Sequence, residues 1–346
     1  MRTCSFLVLA LVACTEDVVK DDNAGDTGGE DTAGGGGTAD TWKASGTGSA
    51  YFGDGSADNS MFTLQMSRAY EPRDGEAYFG FVSTGGSDWV EVGEILVNGE
   101  DVDYTYDIGS NAIIAGYSHF EAWANSTGEV GEGDPVWAGN VDPTVFDTIQ
   151  GMLIASTATP DGQGSLRALE SHLEFLIAEA GSAEGAGLTD AESATLCEKI
   201  GNALQDPPED SDGDGTVETY DDVLAVQGDD GEGGFGYVEL IIEDLGVANA
   251  VVDPLDPIHS HIEQAYDGVQ FTDFWAEKAA ADARAGANSS AASALTKLAE
   301  VVEQLSWTLV GADIDEDGVL EEDTESGIDY SIDQVSQMAR MEVAVP

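Results

Sequence analysis

Hydrophobic and polar positions follow two different patterns along the chain, and the pattern changes near residue 160. Before that point, short runs rich in β-branched and aromatic residues recur between clusters of Gly, Asn and Asp. The runs cover residues 61–66, 77–82, 89–97, 102–106, 112–123 and 145–154. Many short strands separated by turn residues are typical of two packed sheets. The pattern therefore predicts an antiparallel β-sandwich domain over residues 42–159.

After residue 164 the apolar positions recur with the period of a helix. The stripes are Leu166, Leu169, Leu173, Leu176 and Ile177; Ile258, Ile262, Ala265, Tyr266 and Val269; Leu295, Leu298, Val302, Leu305 and Leu309; and Ile332, Val335 and Met338. Several amphipathic helices predict an α-helical bundle over residues 160–346. The predicted fold is thus a multi-domain β + α protein. The turn at residues 159–162 marks the boundary, and we expect the two halves to fold independently.

An Asp-rich segment within the helical half, the first loop (residues 210–221), has the spacing of an EF-hand calcium loop. Three Asp residues occupy positions 1, 3 and 5, and Gly215 supplies the sharp turn at position 6. Calcium takes six to eight oxygen ligands, which alternate carboxylates on a turn provide. Position 12 is Asp rather than Glu, so the loop resembles a dockerin-like calcium loop. The alternative is an acidic turn that holds no ion. The predicted ligands are Asp210, Asp212, Asp214, Thr216 and Asp221.

A second Asp-rich segment, the second loop (residues 313–325), follows the predicted helix at 295–309 and precedes the last predicted helix. Its Asp residues have the same spacing, and Gly318 stands at position 6. Position 12 is Thr324, which is a poor calcium ligand, so a neighbouring Glu is expected to substitute for it. The predicted ligands are Asp313, Asp315, Asp317, Val319 and Glu325. Calcium is the cofactor that both loops predict.

The histidines of the helical half offer a speculative second kind of metal site. His259 and His261 point about 160° apart on one helix, so they cannot easily share an ion. A site in the bundle core would combine His172 with one of them and with nearby glutamates, although polar residues at the bundle edge explain the same pattern. The candidates are His172, His259, His261, Glu170, Glu174 and Glu263. No Ser/His/Asp set, phosphate loop or zinc-protease signature is present in the sequence, so no catalytic residue is predicted.

The composition narrows the choice of partners. The 346 residues include 11 Lys and Arg against 68 Asp and Glu, which gives a formal net charge of −57. Such a polyanion repels nucleic acid and anionic lipid headgroups, and it attracts divalent cations. Cys197 is the one cysteine beyond residue 14, so no disulfide is expected within that part of the chain. The helical pattern around Cys197 predicts a buried, inert thiol.

The amino terminus has the pattern of a secretory signal peptide, with Arg2 before a short apolar run at residues 6–13. The sequence Leu11-Val12-Ala13-Cys14 resembles the lipobox of bacterial lipoproteins. This resemblance implies a signal peptide over residues 1–13 and lipidation of Cys14, whereas an ordinary signal peptide with an incidental cysteine is the alternative. Residues 14–41 are rich in Gly and Asp and predict a disordered acidic tether. The expected location is the bacterial cell envelope, at the outer membrane rather than the inner membrane.

Each half also resembles proteins of the bacterial envelope. Residues 78–82, 92–95 and 120–123 are similar to the extracellular β-domain of anti-sigma-K-type factors. Residues 325–327 and 337–339 resemble uncharacterised lipoproteins that join such a β-domain to a helical domain, and the helical half also resembles imelysin-like iron-uptake lipoproteins. In the imelysin-type Gly-x-His-x-x-Glu motif, the Glu position after His172 is held by Phe175.

These patterns together predict a lipid-anchored, calcium-binding envelope protein with a structural or binding role and no catalysis. Its membrane contact is expected through the lipid anchor alone, its partners are an envelope protein or a metal, and nucleic acid is excluded. One alternative is an imelysin-like periplasmic lipoprotein that captures iron or another metal. Another alternative is a hydrolase whose site has no recognisable motif.

Overall fold

One antiparallel sheet and a set of helices make up the part of the chain that the structure describes. In this computed structural model the described residues are 45–52, 60–85, 88–109, 112–131, 135–221, 223–228, 235–315, 320–321 and 325–346. All of them belong to one compact unit, Lys43–Pro346. The predicted signal peptide, Cys14 and the tether lie outside the described residues. The β plus α architecture predicted from the sequence is confirmed.

Eight strands form the sheet, in the order β4-β3-β6-β7-β8-β1-β2-β5, and every neighbouring pair is antiparallel. The strands are β1 (Thr47–Phe52), β2 (Met61–Ser67), β3 (Ala77–Ser83), β4 (Val90–Ile95), β5 (Asp101–Asp107), β6 (His119–Asn125), β7 (Pro135–Asn140) and β8 (Arg340–Ala344). The predicted sandwich of two sheets is therefore wrong, because all the strands pair into one sheet.

The sheet curls until its two edge strands approach each other, so its shape is nearly that of a barrel. The Tyr104 hydroxyl on β5 donates a hydrogen bond to the Val92 carbonyl on β4. Gly93 next to it has φ 99°, and a Cβ there would lie 2.7 Å from the Tyr104 hydroxyl oxygen. Only glycine therefore permits this close approach of the two edges.

Aromatic side chains fill the inner face of the curled sheet. The Phe62 and Phe120 rings lie 5.1 Å apart, and the Tyr78 and Trp137 rings lie 4.5 Å apart between centroids. All four side chains are buried. Burial of such large apolar surfaces is the main stabilising contribution that this half of the protein makes to folding.

The described residues also form eight helices, seven of which have ten residues or more. They are α1 (Ala112–Ala115), α2 (Pro143–Leu153), α3 (Ser165–Ser182), α4 (Asp190–Leu204), α5 (Tyr237–Asn249), α6 (Pro257–Ala287), α7 (Ala291–Val310) and α8 (Ile328–Gln337). The long helix α6 packs against α4, α5, α7 and α8. A Cβ at Gly268 of α6 would lie 2.3 Å from the Ser331 Oγ of α8, so glycine allows these two helices to pack closely.

One predicted strand proved to be a helix. Residues 145–153 of this run fall in α2, where Asp142 caps the first turn by accepting hydrogen bonds from the Thr144 and Val145 amides, and Pro143 starts the helix. Its buried apolar residues recur at helical spacing, so packing of one helix face outweighs the β propensity of the individual residues. The buried set comprises Val145, Phe146, Ile149, Met152 and Leu153.

The sequence pattern predicted a helix as the last element. The structure instead has a strand, β8, after the last helix. Strand β8 lies between β7 and β1, and Met341 and Val343 point into the core. The predicted boundary after residue 159 therefore does not separate the sheet from the helices, because the sheet takes its fifth strand in spatial order from the end of the helical half. We no longer expect the two halves to fold independently.

Among the helices within the described ranges, none combines the length and the apolar character that crossing a bilayer requires.

Candidate metal centres

Carboxylates form three groups in the described part of the chain, two at the first loop and one at the second. In each group, every residue offers an oxygen within 4.8 Å of the ligand oxygens of the other members, a spacing that could hold a metal ion. Two groups share Asp212 and belong to the first loop, and the third belongs to the second loop. The groups are Glu198, Asp210 and Asp212; Asp212, Asp214 and Glu218; and Asp313, Asp315 and Glu325.

Glu198 holds the first loop through hydrogen bonds to its backbone amides. It lies on α4 with no exposed surface, because it stands on the buried face of that helix with Ala194 and Gly201. Its Oε2 accepts hydrogen bonds from the Ser211 and Asp212 amides at 2.9 and 3.1 Å, and its Oε1 accepts one from the Glu218 amide at 2.9 Å. A buried carboxylate requires such partners, so the loop backbone and this side chain stabilise each other.

Asn202, one helical turn after Glu198, fastens the two ends of the first loop. Its Nδ2 donates to the Glu209 and Glu218 carbonyls, both at 2.9 Å, and its Oδ1 accepts from the Glu209 amide at 2.9 Å. Residues four apart on a helix point the same way. One face of α4 therefore positions both the ends and the middle of the loop.

The Asp side chains of the first loop fold back onto its own backbone. Asp210 accepts hydrogen bonds from the Gly213 and Gly215 amides at 2.7 and 3.0 Å. Asp212 accepts from the Asp214 amide at 3.0 Å, and Asp214 from the Thr216 amide at 2.7 Å. Both glycines have positive φ, which the tight turn requires. The turn brings the Asp212 carboxylate close to that of Asp210 in one group and to that of Asp214 in another, whereas Asp210 and Asp214 share no group.

Glu218 adds a carboxylate that lacks a partner for one oxygen. Its Oε2 is buried and makes no hydrogen bond within the described residues. Burial raises the pKa of Glu218, and so do the neighbouring carboxylates of Glu198, Asp214 and Asp212. Crowding of like charges around an unsatisfied oxygen is the situation that a bound cation relieves.

The second loop is closed around a buried carboxylate in the same way. Glu325 is only 3% exposed. Its Oε1 accepts hydrogen bonds from the Ile314 and Asp315 amides, and its Oε2 accepts one from the Glu321 amide at 3.2 Å. The Ala312 amide donates to the Glu325 carbonyl at 2.9 Å, which joins the two ends of the loop. Asp317 and Val319, two predicted ligands, lie outside the described residues.

The ligand set predicted for the first loop is partly corrected by this geometry. Asp210, Asp212 and Asp214 fall in the groups, whereas the exposed Asp221 falls in none of them. Thr216 is exposed, and its amide is used within the turn. Glu198 and Glu218 were missed, although each left a signal. For Glu198 the signal was a Glu on the buried face of a helix. For Glu218 it was position 9 of the calcium-loop pattern.

The predicted site of histidines and glutamates is not formed, because its members do not come together in one group, and only His259 and Glu263 contact each other. None of the six residues belongs to an acidic or mixed group within the described chain. His172 is buried, its Nε2 lies 3.4 Å from the Ala203 carbonyl, and burial lowers its pKa to about 4. The other five are dispersed: His259 contacts Asn249 and Glu263, His261 contacts Gln334, Glu170 pairs with Arg167, and Glu174 is exposed.

The single described cysteine offers no reactive group. Cys197 is free and fully buried, as the sequence predicted, and burial raises the pKa of its thiol to about 11. The thiolate that acts as nucleophile or metal ligand is therefore disfavoured.

No protein-family model, curated protein or solved structure matches this chain. The resemblances to lipoproteins, to the anti-sigma-K-type β-domain and to imelysin-like proteins therefore stay predictions. The fold and the sites together define an acidic β plus α protein whose carboxylate groups could hold a metal ion.

Proposed function

We propose that this protein is a lipid-anchored bacterial envelope protein that binds calcium in its two Asp-rich loops and has a structural or binding role without catalysis. The observation that carries the proposal is the first loop, where Glu198 and Asn202 of α4 hold the backbone and five carboxylates form two overlapping groups that share Asp212. Such a preformed turn spares the ion much of the cost of ordering its own ligands.

The donor set favours calcium over a transition metal. All members of the three groups are Asp or Glu, so every ligand atom is a hard oxygen. Zinc, copper and iron sites commonly include His or Cys, whereas calcium takes many oxygens in an irregular geometry. The first loop offers five carboxylates, and calcium accepts many such oxygens in an irregular geometry, whereas magnesium requires a near-ideal octahedron and keeps several waters.

The structural role follows from what the loops connect. The first loop follows α4 and is bonded to the end of α6, since the Asn288 side chain donates to the Ser211 carbonyl. The second loop joins α7 to α8, and α8 leads directly into strand β8. A cation in each loop would therefore stabilise the helix contacts and the strand that completes the sheet.

Anchoring in the envelope rests on the amino-terminal sequence. The lipobox-like segment ending at Cys14 and the acidic tether after it suggest a protein displayed at a membrane surface. Divalent cations are attracted to a chain with a net charge of −57, and their binding reduces its self-repulsion.

The experiment that tests calcium binding is metal analysis of the purified protein together with thermal melting in calcium and in chelator. Calcium should be the metal found, and it should raise the melting temperature because a ligand of the folded state stabilises that state. Asp212→Asn removes the carboxylate that two groups share and keeps an oxygen for the Asp214 amide. This variant should lose much of the calcium-dependent rise.

The matched control is Asp221→Asn, which removes the same charge from an exposed residue outside the groups. It should keep the calcium response of the wild type. Iron in place of calcium would support the metal-capture alternative, and equal melting curves in calcium and chelator would overturn the calcium proposal.

A further inference from the structure

A cavity of about 500 Å³ opens where strands β1, β7 and β8 meet the first turns of α2 and α6. None of the acidic residues of the two loops lines it, so it is separate from the candidate metal centres. Its size is that of a pocket for a small molecule. The charged and polar groups around it are Ser49, Asn140, Asp142, Asp253, Asp256, Arg340 and Glu342.

Arg340 is held in the cavity without a carboxylate partner. Its Nη2 donates a hydrogen bond to the Ser49 Oγ at 2.7 Å, and its guanidinium carbon lies 5.6 Å from the centroid of the Tyr51 ring. Within the described chain it forms no ion pair, although acidic residues outnumber basic ones about sixfold in the sequence. A fixed guanidinium with free N–H groups is suited to a planar carboxylate.

Each aspartate of the cavity uses only one of its two carboxylate oxygens in hydrogen bonds to the described residues. Asp142 and Asp256 cap α2 and α6, and in both the Oδ1 atom accepts the amide hydrogen bonds of the helix start. Asp253 accepts the Leu255 amide with its Oδ1 in the same way. The Oδ2 atom of each makes no hydrogen bond to another described residue, so three carboxylate oxygens remain to bind a donor.

Apolar side chains complete the wall between these charges. Val145, Val251, Val252 and Ile258 line the cavity beside the aspartates. Charged groups of both signs beside apolar side chains can orient a ligand that carries both charges. Four carboxylates face one guanidinium, so the ligand that neutralises the cavity carries more positive than negative charge.

We propose that this cavity binds a small molecule that carries one carboxylate and ammonium groups, of the class of cationic amino acids. The carboxylate lies on Arg340, and the ammonium groups lie on the free oxygens of Asp142, Asp253 and Asp256. A simple anion is repelled by the four acidic side chains, and a simple diamine leaves the guanidinium unpaired. The proposal does not depend on calcium binding in the loops.

The test is titration calorimetry of the whole protein with L-lysine, cadaverine and L-glutamate in buffer with chelator. L-lysine should bind saturably at one site per chain. Cadaverine, which lacks the carboxylate, should bind about tenfold more weakly, since a charge-assisted hydrogen bond contributes about 1.5–3 kcal/mol. L-glutamate should not bind.

Variants assign the two ends of the ligand. Arg340→Gln should lower the affinity for L-lysine about tenfold and should not weaken cadaverine binding, because cadaverine has no carboxylate to place on the guanidinium and is repelled by its charge. Asp256→Asn keeps an oxygen that caps α6 but removes a charge, and it should weaken both ligands. Asp103→Asn on the exposed face of β5 makes the same charge change outside the cavity and should alter neither.

Three results would overturn the proposal: no saturable heat with L-lysine, equal affinity for L-lysine and cadaverine, or binding of L-glutamate. Circular dichroism checks that each variant is folded. If Arg340→Gln is not folded, Arg340→Lys replaces it. The affinity of Arg340→Lys for L-lysine should lie between that of the wild type and the weaker affinity expected for cadaverine, because the lysine keeps the charge and loses the planar fork. Since chelator is present throughout, failure here leaves the calcium proposal unaffected.

Discussion

In both Asp-rich loops a buried carboxylate accepts hydrogen bonds from the loop amides, but that carboxylate comes from a different part of the chain in each. In the first loop the buried carboxylate is Glu198, which belongs to the preceding helix α4 and is fixed by the packing of that helix. In the second loop it is Glu325, which belongs to the closing end of the loop itself. The first loop is therefore held by a side chain of the core, whereas in the described part of the second loop the buried carboxylate comes from the loop itself.

The origin of the buried carboxylate determines what an ion can add. A loop already held in place gains affinity because little ordering is left to be done, and its structure changes little on binding. A loop that holds itself together is ordered by the ion, so more of its stability depends on calcium. We therefore expect the first loop to bind calcium more tightly and the second to respond more to it.

The largest expected effect comes from Glu198→Ala. Three part-buried amides would lose their acceptor, and an amide without a partner costs about 1–3 kcal/mol when fully buried and less when water reaches it, so we expect a loss of roughly 3–5 kcal/mol in chelator. Urea unfolding measures this free energy. Glu325→Ala is the matched variant and should cost roughly 1–3 kcal/mol, since Ile314 and Glu321 are exposed and water can reach their amides. An equal or larger loss in Glu325→Ala would contradict the difference between the loops.

Acid should destabilise the protein even without any ion in the loops, because of His172. Burial lowers its pKa to about 4, against 6.5 for a histidine in water. The unfolded state therefore binds the proton first, so the full stability is present above pH 6.5 and is lost as the pH falls towards 4. The loss is about 3 kcal/mol at most.

Chemical unfolding at several pH values in chelator measures this loss. His172→Gln should flatten the curve between pH 6.5 and 4, and whatever acid loss remains in that variant belongs to the carboxylates of the loops. If the pH dependence of stability is the same in His172→Gln and the wild type, protonation of His172 does not destabilise the folded state.

A smaller and more local difference should appear in amide hydrogen exchange. In chelator the amides bonded to Glu198 should already be protected, because the core holds their acceptor. Those bonded to Glu325 should gain most of their protection when calcium is added. Equal gains in both loops would remove the distinction. The first set is Ser211, Asp212 and Glu218, and the second is Ile314, Asp315 and Glu321.

The sequence predicted those parts of the sites that lie close together along the chain. Asp210, Asp212 and Asp214 are spaced by the turn itself, so the closeness of each to the next follows from local geometry. Glu198 reaches the same place through the packing of α4, twelve residues before the first Asp, and no loop pattern includes it. A charged residue on the buried face of a helix was the available signal.

The same distinction separates the correct and incorrect parts of the predicted fold. Strands β2 to β5 and the main helical stripes were evident from local periodicity. Strand β8 pairs with β1 almost 300 residues away, and its five residues are too short for their alternation to stand out. Whether strands form one sheet or two is decided by such distant pairings, which is why a sandwich was predicted and one curled sheet is found.

The most direct measurement is a calcium titration into metal-free protein by calorimetry, with the wild type, Asp212→Asn and Asp315→Asn. The wild type should show a tighter and a weaker binding event. Asp212→Asn should remove the tighter one, and Asp315→Asn the weaker one. If the wild type gives no saturable heat, or if Asp212→Asn keeps both events, the loops are acidic turns rather than calcium sites.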